Sequence, residues 1–297
     1  MSKQFWSAVS DYVQIMFYNS NTKQEIIRQI CKNGSSDKVS DVVSDGVSVF
    51  DLLNQKRNRI VLKQYWFDNM CSSGNLELVH LFLTMGEFDP TFTCTDAFCE
   101  ASENGHIAIV DRLLQESLVD PSVRNNFSIQ KASENGYVAV VERLLQEPSV
   151  DPSTNSNHAF RMACQKGNVE IVDILLQDDR VDPNYCNFFY KSALCEACDY
   201  GHISIVDRLL QEKDVDPSID DNRAIQLASL NGFANIVDML LLTGRVDPSD
   251  QHNYAIKHAK YHGHTDVINR LLQDPRTDTS SEFNDLFMID SMRNDRL

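Results

Sequence analysis

The stretch that decides the fold is NFSIQKASENGYVAVVERLLQ, residues 126–146. Ile129 and Ala132 sit three apart before Gly136, and Val138, Val141, Leu144 and Leu145 follow it at three- and four-residue steps. Each set falls on one face of an α-helix. The stretch therefore reads as two short helices, with the chain reversing at Gly136. A left-handed residue at such a reversal costs about 1 kcal/mol or more if it carries a side chain, and glycine removes that cost.

Working outward, Gly136 belongs to a ladder: Gly74, Gly105, Gly136, Gly167, Gly201, Gly232 and Gly263, spaced by 31, 31, 31, 34, 31 and 31 residues. A second ladder, Asp89, Asp120, Asp151, Asp182, Asp216, Asp247 and Asp278, keeps the same six spacings, and its first six members precede a proline. Two residue types in one register, with the same three-residue insertion in the same interval, define a repeat, and the repeat governs the architecture. The Asp-Pro-Ser step suits a tight turn, because proline presets the backbone and aspartate can bond a nearby amide. Asn126, Asn157, Asn222 and Asn253 each lie ten residues before their glycine, where a short amide can cap a helix N-terminus; they are expected to be N-caps.

The unit resembles an ankyrin repeat. Ala101-Ser102, Gly105-His106, Ile109-Val110 and Leu113-Leu114 match the family pattern, as do Ala228-Ser229, Gly232-Phe233, Ile236-Val237 and Leu240-Leu241. The helix-opening Thr-Pro-Leu-His box is replaced by forms such as Asn222-Arg-Ala-Ile225, and the period is shorter than the family's by two residues between units. The resemblance implies an all-α helix-turn-helix solenoid of seven units with shortened inter-repeat hairpins. It also implies a non-enzymatic scaffold that binds a partner protein on a concave face. Residues 59–280 are assigned to the array and 281–297 to a C-terminal half-repeat cap, since Asn284 and Phe287 continue the register. Residues 1–58 show no clean copy and read as a degenerate helical cap or as a small docking module. The second option gives the competing function, a substrate-selecting adaptor of a larger enzyme complex such as a ubiquitin ligase.

Composition excludes several classes. Forty-three acids against 27 bases give a formal charge of -16, the wrong sign for binding a phosphate backbone, so nucleic acid is not expected and a basic protein surface is. No apolar run is long enough to span a membrane, and Met1 to Trp6 does not open a secretory signal. An intracellular, cytoplasmic monomer is expected, with reduced cysteines.

Candidate chemistry yields to the repeat. Cys195-Glu-Ala-Cys198 has redox or zinc spacing, yet Cys198 fills the slot of Cys71 and Cys164, and Cys195 that of Cys99. His258 and His262 could share a metal on a helix, whereas His264 simply fills the slot of His106 and His202. Arg112, Arg143, Arg208 and Arg270 recur seven residues after glycine and read as a charged stripe on the second helix, paired with acids of neighbouring units. Neither a catalytic residue nor a cofactor or metal site is assigned. The insertion, Tyr185-Cys-Asn-Phe188-Phe189-Tyr190, introduces aromatics where other units are polar. Aromatic clusters make binding anchors. Phe92, Tyr185, Phe188, Phe189, Tyr190, Tyr200 and Tyr261 are the candidate partner-binding residues, with packing under the longer loop as the other role for the insertion.

Overall fold

The computed structural model describes residues 67–84, 90–116, 119–186 and 191–277. The chain is helical throughout these, without a strand among the described residues. The described residues form seven helix pairs: α1 (67–72) with α2 (Leu76–Thr84), α3 (Pro90–Glu103) with α4 (Ile107–Leu114), α5 (Val123–Asn135) with α6 (Val138–Leu145), and α7 (Thr154–Lys166) with α8 (Val169–Leu175). α9 (Ala193–Tyr200) with α10 (Ile203–Gln211), α11 (Ile219–Leu230) with α12 (Ala234–Leu242), and α13 (Asp250–Tyr261) with α14 (Thr265–Gln273) complete them. Both proposed terminal modules, 1–58 and 281–297, lie outside the described residues.

The glycine ladder does what its spacing requires. Every member has φ between 75° and 85°, and the residue after it returns a hydrogen bond to the helix it ends, as Tyr137 N–H does to the Ala132 carbonyl at 2.9 Å. There is a second reason for glycine that spacing alone does not reveal. The side chain following each glycine lies over the glycine of the preceding unit, so a Cβ on Gly201 would meet the Phe233 ring at 2.7 Å and one on Gly232 would meet His264 at 2.6 Å. In this place His106, His202 and His264 put Nε2 at 2.7–3.0 Å from the carbonyls of Ser72, Gln165 and Leu230. A carbonyl can only accept, so Nε2 carries the proton in each, and the ring caps the neighbouring helix's C-terminus.

Packing repeats in columns. Ala101, Ala132, Ala163, Ala197, Ala228 and Ala259 are fully buried where first helices meet, and Leu113, Leu144, Leu175, Leu209, Leu240 and Leu271 fill the layer between first and second helices. The first helices pack closely along the stack and the second helices touch more lightly. The side formed by the first helices is the inner face.

The asparagine expectation is corrected. Asn126, Asn157, Asn222 and Asn253 are buried, at positive φ, in left-handed turns formed by Arg124–Asn126, Asn155–Asn157, Asp220–Asn222 and Gln251–Asn253. Eight of these 12 residues are Asn or Asp, the types that tolerate this conformation best. The amides of Asn126, Asn157 and Asn222 do not cap their own helices but reach forward to the next unit, whereas the buried Asn253 Oδ1 has no partner among the described residues. Asn126 Oδ1 accepts from Asp151 N–H at 2.9 Å, Asn222 Oδ1 from Asp247 N–H at 2.7 Å, and Asn157 Nδ2 donates to the Asp182 carbonyl at 3.3 Å. The unit with the insertion has Lys191 ten residues before its glycine, and Asn184 substitutes, accepting from Asp216 N–H at 2.8 Å. Its first helix opens with an ordinary cap, Ser192 Oγ accepting from Cys195 N–H.

The Asp-Pro-Ser turns form as the residue types suggest. Ser122, Ser153, Ser218 and Ser249 each donate N–H and hydroxyl to the aspartate two residues earlier, at 2.6–2.9 Å.

Candidate partner-binding surface

The inner face is built from positions nine, five, two and one before each glycine, where most side chains keep solvent contact, with Ser192, Glu196 and Leu227 as buried exceptions. Along α3 these positions and their surroundings carry Asp96, Glu100 and Glu103; along α5, Phe127, Lys131 and Glu134. The α7 face holds His158, Met162, Gln165 and Lys166, and no acid lies anywhere on that helix. Glu196, Asp199 and Tyr200 follow on α9, Arg223 and Leu230 on α11, and Tyr254, His258, Tyr261 and His262 around α13. The abundant acids lie mainly elsewhere, on the aspartate turns and on second helices bearing Asp111, Glu142, Asp173, Asp207 and Asp238. The chain's charge of -16 is thus not the charge of this face.

Electrostatics differ from unit to unit. Glu100 is pushed up by burial and by the neighbouring carboxylates Glu103 and Asp96. Glu134 is held down by a 2.8 Å hydrogen bond from the Lys131 ammonium, which also lies 5.8 Å over the Phe127 ring. In the middle, Arg161 and Glu196 are 3% and 7% exposed and 3.8 Å apart. Burial raises the Glu196 carboxyl against the opposing pull of Lys191 and Arg161. Arg161 Nε also donates to the Ser156 carbonyl at 2.9 Å, as Gln130 and Gln226 do from the same slot to Asn125 and Asp221.

The sequence candidates scatter over this surface. Tyr200 is 53% exposed, its hydroxyl 3.2 Å from Gln165 Nε2 and its ring stacked on His202. Tyr261 is 81% exposed and meets His262 edge-on at 5.0 Å. Tyr185 is half-buried in a turn, accepting from Ser156 Oγ at 3.2 Å. Phe92 falls within α3, and Phe188, Phe189 and Tyr190 lie outside the described residues.

The second-helix stripe takes the expected form. Arg143 bonds Asp111 of the preceding unit and Glu147 of its own, at 2.8 and 2.7 Å; Arg208 does the same with Asp173 and Glu212, and Arg270 with Asp238. A further arginine set escaped the sequence reading. Arg180, Arg245 and Arg276 each donate Nη1 to the carbonyl of Val150, Val215 or Val246 at 2.8 Å, tying one inter-unit turn to the last. The signal was available, since all three stand two residues before the aspartate ladder.

The thiols are buried structural residues: burial pushes Cys195 up to about 12 and Cys198 well above its ordinary value, opposite to the activation that redox cysteines need. Among the described residues no group of three or more His, Cys, Asp or Glu side chains is placed to hold a metal ion. None of the helices there is long and apolar enough to cross a membrane.

Stacked helical hairpins with a variable inner face define a class, the helical-repeat proteins, whose surfaces engage other proteins. A family model described as "Ankyrin repeats (3 copies)" matches residues 129–221, 159–252 and 194–281. These matches together cover more than half of the 297 residues, and the chain belongs to the ankyrin repeat family. Comparison with curated proteins returns no match.

Proposed function

We propose that the chain is a non-enzymatic scaffold that holds a partner protein against its inner helical face. The observation that carries this is a contrast within the repeat. The core slots repeat almost without change, Ala at one and Leu at another in six units, while the inner-face slots vary, most of all the one nine residues before glycine. Slot nine before glycine is Phe127, His158, Ser192, Arg223 and Tyr254 in succession. Stacking requires only the first set, and a surface free to vary in register is suited to recognising something irregular, another protein.

The acidic patch Asp96, Glu100 and Glu103 suits a basic portion of that partner. Tyr200 and Tyr261 supply exposed aromatic area, and the free cysteines fit an intracellular setting. Photo-crosslinking tests the proposal. A photoreactive residue placed at Tyr200 or Tyr261 should capture the same cellular protein, whereas one at Lys213 or Glu142 on the opposite side should not. Equal capture from both sides, or from the second helices alone, refutes it.

A further inference from the structure

The last described unit departs from the others in a way its charge makes specific. Tyr254 stacks on His258 with centroids 3.9 Å apart, His258 on His262 at 6.5 Å, and His262 on His264 at 5.9 Å. With Tyr261 set edge-on against His262, these rings form one continuous row along the inner face of α13 and into the following turn. Arg223 flanks the row from α11, and Lys257 lies on α13 itself. In a chain with a large excess of acid, neither cation has a carboxylate within ion-pair distance among the described residues; by contrast Arg112, Arg143, Arg161, Arg208 and Arg270 are all paired. His258 Nδ1 is buried and makes no hydrogen bond among the described residues.

We propose that the inner face around Arg223, Tyr254, His258, Tyr261 and His262, bordered by Lys257 in the slot that Arg161 fills, docks an acidic, carboxylate-rich segment of the partner protein. The proposal rests on the inner-face reading above and refines it. Carboxylates would supply the counter-charges that Arg223 and Lys257 lack, while Tyr261 offers apolar area beside them. The same register at the opposite end, Glu100 and Glu103, is acidic. The two ends therefore select opposite charge, and a partner lying along the face is held in one direction.

Protonation gives the pocket a signature. The groups facing His258 are Tyr254 on its own helix, His262 just past that helix's end and Arg223 from the preceding inner helix, with Tyr261 and His264 beyond them against His262. Burial, His262 and Arg223 hold the His258 imidazole below its ordinary value. An arriving carboxylate reverses the last two influences, so binding takes up protons and tightens as pH falls through the imidazole range, by up to about tenfold per pH unit for each proton taken up.

The experiment follows histidine ring resonances of the full chain while adding a short Glu-rich peptide, a Lys-rich peptide of equal length, or an oligonucleotide of matching charge. The Glu-rich peptide should shift the rings of His258 and His262, bind more tightly at pH 6 than at pH 7.5, and lose at least several-fold in affinity with Arg223→Gln and with Tyr261→Ser. Tyr261 is so exposed that its replacement leaves the fold intact, and helicity checks the Arg223 variant. Preference for the Lys-rich peptide, equal binding of the oligonucleotide, or affinity unchanged in both variants overturns the proposal. If the Glu-rich peptide fails while inner-face crosslinking still captures one protein, this inference falls and the scaffold reading stands; crosslinking without face preference removes both.

Discussion

Replacing Gly201 and Gly263 by alanine, separately, isolates what the ladder contributes. Both glycines are left-handed, with φ of 77° and 75°. They differ in surroundings: a Cβ on Gly201 would lie 2.7–3.0 Å from three atoms of the Phe233 ring, and one on Gly263 would meet nothing within 4 Å among the described residues. Gly263→Ala should therefore cost only the conformational penalty, about 1–2 kcal/mol. Gly201→Ala carries that same penalty and also displaces a ring packed against the core, adding about 1–3 kcal/mol for overpacking. Urea unfolding followed by far-UV circular dichroism reads the midpoint, and amide exchange reads each unit separately, because repeat arrays can unfold in parts. A double variant, Gly201→Ala with Phe233→Ser, closes the cycle: the ring term should cancel and the conformational term remain. If Gly263→Ala costs as much as Gly201→Ala, or if the pair shows no coupling, the ring-over-glycine contact does not hold adjacent units together.

Three further outcomes follow from the geometry. Arg161→Gln, which removes the guanidinium beside the buried Glu196 carboxyl, should lose about 3–5 kcal/mol, while Arg161→Gln with Glu196→Leu, which restores the glutamine-with-apolar combination found one unit earlier at Gln130 and Met162, should recover most of it in thermal melts. Asp216 is held below the usual carboxylate range by the Ser218 hydroxyl and N–H. Its stabilising effect is thus complete above the unfolded value near 4 and lost as pH falls through the lower folded value. The melting difference between wild type and Asp216→Asn should accordingly shrink toward zero in acid, and a difference that grows there contradicts the hydrogen-bond account. Finally, iodoacetamide should modify Cys186, which is half-exposed, before Cys195 or Cys198, which should label only on unfolding; peptide mass spectrometry showing native labelling of Cys195 would be inconsistent with its raised thiol pKa.

The helix pairs, the reversals at glycine, the aspartate turns and the second-helix arginine stripe were all legible in the sequence. Each depends on neighbours within a few residues, or on a repeat whose period already says which residues face the next unit. Steric rules for one residue and helical periodicity suffice for that. The asparagines were misread for the complementary reason. At ten residues before glycine a cap and an inter-unit clasp use the same amide, and only the left-handed turn, with the chain's path beyond it, shows that Asn126 reaches Asp151 and not its own helix. The candidate surface was legible only in part. Tyr200 and Tyr261 stand exposed as aromatic departures from the repeat suggested, but a net charge carries no positions. That the acids gather on turns and second helices, leaving Arg223 and the imidazole row without carboxylates, is decided by which way each helix face turns once the units stack, and this is a property of contacts about 30 residues apart in the chain.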